Sequence, residues 1–221
     1  MATNTDPAGP WSLVVPLKPL ARAKSRLARA AGEDARPRLA LAFAQDTVAA
    51  ALACSRVRDV VVVTDDAVAA AALSALGARI VPDAPGAGLN AALAHGARSV
   101  RALRPAAAVA ALNADLPALR TGELARVLDF ASAFPNAFLR DAAGIGTTFL
   151  AAASSAEFRP AFGGPSGARH LASGAVEIAL SGVDSVRRDV DTGEDLRVAL
   201  ALGVGSHTAR IATVPAPSRD R

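Results

Sequence analysis

Along the 221 residues, short apolar runs alternate with longer stretches whose apolar positions recur at helical spacing. "SLVVPL" (12–17), "RDVVVVT" (58–64), "RIV" (79–81) and "AAAVAAL" (106–112) have the length and continuous apolar character of buried strands. Between and after them, residues 34–53, 66–76, 90–101 and 121–132 carry helical patterns. Asp66, Asn90 and Thr121 stand where a side-chain oxygen would cap a helix start, and Gly77 where a left-handed residue would end one. Further on, "NAFL" (136–139), "TTFLAA" (147–152) and "VRRDV" (186–190) read as strands, with Thr192 and Asp195 forming a capping box for a last helix to Leu202. Such alternation, with no internal repeat, predicts an α/β fold of βα units around a mainly parallel sheet.

Composition narrows this only a little. An apolar fraction of 52% in 221 residues suits one core, so one domain is expected over 11–214, with disordered ends at 1–10 and 215–221. The lone Cys54 permits no disulfide within the chain and reads as a small buried hydrophobe in a reducing compartment. No apolar run approaches the ~18 residues of a membrane span and no signal-like segment opens the chain, so a cytoplasmic protein without membrane association is expected. Composition leaves a homodimer open.

Charge changes the picture more. Residues 18–38 hold Lys18, Arg22, Lys24, Arg26, Arg29, Arg36 and Arg38 against Glu33 and Asp34, a local balance of +5 in a chain whose total is +4. Despite a pI near 10.4, the cations are concentrated and no aromatic residue is interleaved with them, which argues against a nucleic-acid groove. They follow the first strand, and ligands of open α/β sheets sit beyond the carboxyl ends of strands. "VVPLKPLARAKSRLA" lacks the glycines of a Walker A loop, yet its lysines and arginines suit a polyphosphate. A solvated basic loop is the alternative.

Two aspartates stand at predicted strand ends. Asp115 follows "AAAVAAL" and Asp191 follows "VRRDV"; a magnesium ion held between protein and nucleotide takes one or two carboxylates, although helix capping would explain either residue alone. "FGGPSGARHL" (162–171) suits an anion held by backbone amides at a helix start, or a plain Gly-Pro turn. "GIGTT" (144–148) offers a close approach and the hydroxyls of Thr147 and Thr148, or again a simple turn. His95, His170 and His207 lack metal-ligand spacing and are expected to be structural or at the surface. No Gly-x-Ser-x-Gly elbow is present. A basic loop, two carboxylates and an anion nest without a nucleophile or general base suit phosphoryl or nucleotidyl transfer, where positioning and charge neutralisation supply most of the catalysis.

Six segments in order, "VVPLKPLARAKSRLA", "GLNAAL", "NADLPAL", "GIGTTFLAA", "FGGPSGARHLASGA" and "RRDVDTGEDLRVALALGVG", resemble the phosphoenolpyruvate / 2-phospho-L-lactate guanylyltransferase family of coenzyme F-420 biosynthesis. The resemblance implies a GT-A-like nucleotidyltransferase fold, a mostly parallel central sheet flanked by helices on both faces, together with Mg2+, GTP and a phosphorylated three-carbon acid. It implies that Lys18, Arg22, Lys24, Arg26 and Asn90 bind the nucleotide and that Asp115 and Asp191 hold the metal. On this resemblance Lys24, Asp115 and Asp191 are the expected catalytic set. Thr147, Gly163 and Ser166 match phosphoenolpyruvate-binding positions, with Thr148 as the neighbouring alternative. This chain has Gly-Ile-Gly-Thr and "FGGPS" where members commonly have Gly-Thr-Gly-Thr and Phe-Gly-Pro. Phosphoenolpyruvate is the expected acceptor. The rivals are 2-phospho-L-lactate, another nucleotidyltransferase acting on a molybdenum cofactor or sugar phosphate, a basic nucleic-acid-binding module, and a catalytically idle scaffold.

Overall fold

The computed structural model describes residues 10–24, 27 and 35–212. Arg26 and Arg29 of the basic loop, and the two chain ends expected to be disordered apart from Pro10, lie outside the described residues. The strands are β1 (Trp11–Pro16), β2 (Val57–Val63), β3 (Arg79–Val81), β4 (Ala108–Leu112), β5 (Asn136–Arg140), β6 (Thr147–Ala152) and β7 (Val176–Glu177). The helices are α1 (Ala35–Leu52), α2 (Ala67–Ser74), α3 (Leu89–Leu103), α4 (Thr121–Ala131), α5 (Ser166–Ala172), α6 (Asp184–Arg187), α7 (Gly193–Leu202) and α8 (Ser206–Ile211). None of them is long and apolar enough to cross a membrane.

These strands join one sheet in the order β3-β2-β1-β4-β6-β5-β7. Only β6 runs against its neighbours, pairing antiparallel with β4 and β5. The central strands are apolar on both sides because both faces are covered. On one face Leu13, Val15, Val60, Val62, Ala110 and Leu112 pack with Ala44, Val48 and Ala51 of α1 and Leu124, Val127 and Leu128 of α4. On the other, Val14, Val61, Val63, Val109 and Ala111 pack with Ala92, Leu93, Ala97 and Val100 of α3. Helix α3 lies so close that a Cβ on Gly96 would come within 2.8 Å of Val63 Cγ2 and nearer still to Val14. Cys54 is buried, as expected of a small hydrophobe.

Three local expectations are corrected. Asn90 is not a cap: α3 starts at Leu89 behind Gly88, and the Asn90 amide instead grips Phe162, accepting from its N–H at 2.8 Å and donating to its carbonyl at 3.1 Å. Thr121 is the first helical residue of α4, with Arg120 at the cap position and no side-chain cap bond. "VRRDV" is no strand; Asp184–Arg187 form a helical turn, after which Val190 N–H donates to the Asp115 carbonyl at 3.1 Å. By contrast, Asp66 caps α2 through the amides of Val68 and Ala69, and the Thr192–Asp195 capping box opens α7. The short β7 and α8 lie beyond what the sequence pattern predicts; α8 is held by Asp46, whose carboxylate accepts from His207 N–H at 2.9 Å and Thr208 N–H at 2.8 Å.

Candidate active site

Strand order reverses between β1 and β4: the chain leaves β1 towards β2 and β3, then crosses to β4 on the other side. Loops splay apart at such a switch point and leave a crevice. Lys18 follows β1 and Asp115 follows the neighbouring parallel β4. Because β6 is antiparallel to β4, its first residue, Thr147, arrives at the same edge, and β5, antiparallel to β6, delivers Asp141 there. A cleft of about 640 Å³ occupies this edge. Lys18, Arg22, Lys24, Asp115, Thr147, Gly163, Ser166 and Asp191 all line it.

At its centre the Lys24 ammonium is bound by two carboxylates, donating to Asp115 Oδ2 and, at 2.7 Å, to Asp191 Oδ1. Burial alone would lower the lysine pKa, but the two carboxylates outweigh it and hold the group well above its usual range. Lys24 also has φ +55°, a left-handed conformation that costs a non-glycine residue energy and is a mark of functional sites. Lys18 and Arg22 line the same cleft. Arg36 turns back and donates to the carbonyls of Ala21 and Ala23, bracing the basic loop from beneath.

The carboxylates are positioned by the core. The Thr47 hydroxyl donates to the Phe43 carbonyl at 2.8 Å and accepts from Leu116 N–H at 3.0 Å, so it ties the chain just after Asp115 to α1. No helix begins at Asp115, so capping does not explain it. Val190 is buried with Leu27, Leu39 and Phe43, and its neighbours Asp189 and Asp191 both line the cleft. Thr192, not Asp191, caps α7. Asp189 is a site residue that the sequence reading misses, although Asp-Val-Asp spacing with an apolar middle residue is a usable signal: alternate residues of an extended chain share one side. Burial, then the charges of Asp115 and Asp191, push the Asp189 carboxyl up to about 7 against the opposing pull of Lys24.

Three carboxylates face one ammonium, and Asp115 Oδ1 is buried with no hydrogen-bond partner. Among the described residues no three His, Cys, Asp or Glu side chains are already drawn together as a metal cage. Hard oxygen donors with surplus negative charge and an orphaned oxygen nevertheless fit a divalent cation that completes its shell with phosphate oxygens and water.

At the other end, Thr147 and Ser166 are joined by a 3.0 Å hydrogen bond, and His170 Nδ1 lies 3.0 Å from Thr147 Oγ1. Thr148, the alternative, is fully buried away from the cleft lining, with its hydroxyl unpartnered. Asn90 does not line the cleft either; it holds the Phe162 backbone ahead of Gly163. Gly163 and Gly164 both have positive φ, at +97° and +49°, so the extra glycine of "FGGPS" is accommodated by left-handed backbone. At the start of α5 two amides are engaged within the protein: Ser166 N–H donates to the Gly164 carbonyl and Gly167 N–H to that of Ile145. Asp141, also absent from the sequence reading, accepts from Ile145 N–H and Gly146 N–H and shapes the Gly-Ile-Gly turn.

The family model described as "Guanylyl transferase CofC like" matches residues 11–211. The chain belongs to this family. It is 68% identical over 214 residues to the phosphoenolpyruvate guanylyltransferase of Streptomyces avermitilis, covering 96% of this chain and 99% of that protein. In fold it is similar to a putative nucleotide-diphospho-sugar transferase from Desulfovibrio desulfuricans G20, with TM-score 0.66, 15% identity and 86% of each chain covered. It is likewise similar to a nucleotidyl transferase from Methanothermobacter, with TM-score 0.63, 22% identity, and 87% of this chain and 97% of that one covered. The α/β fold is therefore that of nucleotidyltransferases, and this family member is an enzyme of the guanylyltransferase class.

Proposed function

We propose that this chain is a phosphoenolpyruvate guanylyltransferase, transferring GMP from GTP to the phosphate of phosphoenolpyruvate with release of pyrophosphate. The observation that carries the reading is the Lys24 ammonium joined to Asp115 and Asp191 in the same cleft as the Thr147–Ser166 hydroxyl pair. Lys18, Arg22 and Arg26 of the basic loop are assigned to the triphosphate, where their charge offsets that of the phosphates. Thr147, Gly163 and Ser166 are assigned to the acceptor. A phosphate oxygen of the acceptor attacks the α-phosphorus of GTP in line, the bond to the oxygen bridging the α- and β-phosphates breaks, and enolpyruvyl-2-diphospho-5'-guanosine forms.

No side-chain base is required, because a phosphate monoester with a second pKa near ~6 already presents an anionic oxygen at neutral pH. Asp115 and Asp191, with Asp189 beside them, would hold Mg2+, which supplies Lewis-acid neutralisation of the phosphates when bound. The acceptor preference follows the name of the Streptomyces relative, and the family resemblance places the product in coenzyme F-420 biosynthesis. The test is pyrophosphate release from GTP and Mg2+ with each acid offered separately. Faster turnover with phosphoenolpyruvate than with 2-phospho-L-lactate supports the reading; turnover with 2-phospho-L-lactate alone, or with neither, overturns it.

A further inference from the structure

Sequence spacing gives His170 only a structural or surface part, yet it is fully buried and both ring nitrogens are engaged. Nε2 lies 3.0 Å from the Ala161 backbone nitrogen, and an amide N–H can only donate. Nε2 therefore accepts. Burial, with the nearby Arg169 charge, pushes the imidazole down to about 4, so at neutral pH it carries one proton, and that proton must be on Nδ1. Phe138 and Phe162 pack on the ring and fix its plane, with centroids 5.7 and 5.2 Å away.

Proton accounting then decides what the hydroxyl pair can do. Nδ1–H donates to Thr147 Oγ1, and one hydroxyl hydrogen is used between Ser166 and Thr147. Whichever of the two donates to the other, the pair keeps one O–H with no protein acceptor, at a cleft wall that both residues line. With the opposite tautomer, Thr147 would donate to Nδ1 and Ser166 to Thr147, leaving no hydrogen for a ligand. We infer that His170 is a positioning residue whose Nδ1–H tautomer turns the Thr147–Ser166 pair into a hydrogen-bond donor for an anionic oxygen of the acceptor substrate. The inference rests on the reading of this end of the cleft as the acceptor site. It specifies that the ligand offers an acceptor oxygen here, as a phosphate or carboxylate does.

Two measurements test it. Long-range 1H–15N NMR of the parent protein at pH 7 should show His170 protonated at Nδ1 and bare at Nε2; a proton on Nε2 overturns the inference. In steady-state kinetics, His170→Asn keeps a donor near the Nδ1 position, whereas His170→Gln keeps an acceptor near Nε2 and loses the donation to Thr147. His170→Gln should raise the KM for phosphoenolpyruvate roughly tenfold or more, the size of a lost hydrogen bond to a charged group, and leave the KM for GTP unchanged. His170→Asn should stay within about threefold of the parent. Equal losses in both variants, or a matching rise in the GTP KM, would point to a purely structural role and overturn the inference. A parent that releases no pyrophosphate with phosphoenolpyruvate overturns the proposed function instead, while the tautomer still decides the hydrogen bonding of His170 to Thr147 and Ser166.

Discussion

Replacing Lys24 with Met removes the charge and keeps the length of the side chain, leaving Asp115, Asp189 and Asp191 facing one another. The lysine side chain is 11% exposed and that of Asp115 19%, whereas that of Asp191 is 53% exposed and well screened. Breaking a buried pair by removing one partner costs about 3–5 kcal/mol, and discounting the exposed arm leaves about 2–3 kcal/mol. At roughly 2–4 °C per kcal/mol for a chain of this size, Lys24→Met should melt about 4–12 °C below the parent in chelator. A divalent cation that takes the place of the missing charge would stabilise the variant, by about 2.7 kcal/mol at a hundred times its Kd. The assay is thermal denaturation of both proteins with chelator and with increasing Mg2+. The reasoning fails if the chelated variant melts within about 1 °C of the parent, or if Mg2+ raises both proteins equally.

Asp115→Asn and Asp191→Asn should each abolish Mg2+-dependent pyrophosphate release while circular dichroism stays native; retained activity in both would remove the metal assignment. Stability should also depend on pH through His170. Its folded pKa, about 4, lies below the ordinary value of 6.5, so its contribution is present above about 6.5 and is lost as pH falls towards 4. Urea denaturation at intervals across that window should show a shallower decline in His170→Asn than in the parent. Finally, a Cβ on Gly205 would overlap the Asp46 carboxylate that holds α8, and Asp46 is too short to move aside. Gly205→Ala should lower stability by about 1–3 kcal/mol in urea titrations.

What can be read in advance depends on how locally each feature is determined. Strand β6 is legible to the residue because six successive residues are apolar or β-branched and every one is buried. Lys18 and Asp115 are legible because each follows a strand whose end opens on the cleft, whereas Asp191 lines that cleft although the strand expected before it is absent. Asn90 and Thr121 mislead because capping is a local preference, and at Asn90 a partner 72 residues away competes for the same amide. "VRRDV" has the composition of a strand, but its path is set by the Asp115 carbonyl and by Arg187, whose guanidinium donates to the carbonyls of Arg140 and Ile178. Helix α8 cannot be foreseen from its own short sequence, because Asp46, far earlier in the chain, supplies the acceptor for its first amides.

The reversed direction of β6 separates the two halves of the pocket in chain terms. Basic loop, Asp115 and the crossing helix α3 belong to the parallel half of the sheet, while Thr147 and Asp141 enter from β5 and β6. Lengthening or shortening the 141–146 turn would move the hydroxyl wall and, through the bond from Ala142 N–H to the Arg187 carbonyl, pull on the segment that carries Asp189 and Asp191, while Asp115 stays anchored behind β4. A change of length there would therefore be felt by the hydroxyls and by Asp189 and Asp191 together, and would spare Lys18 and Asp115 at the ends of β1 and β4.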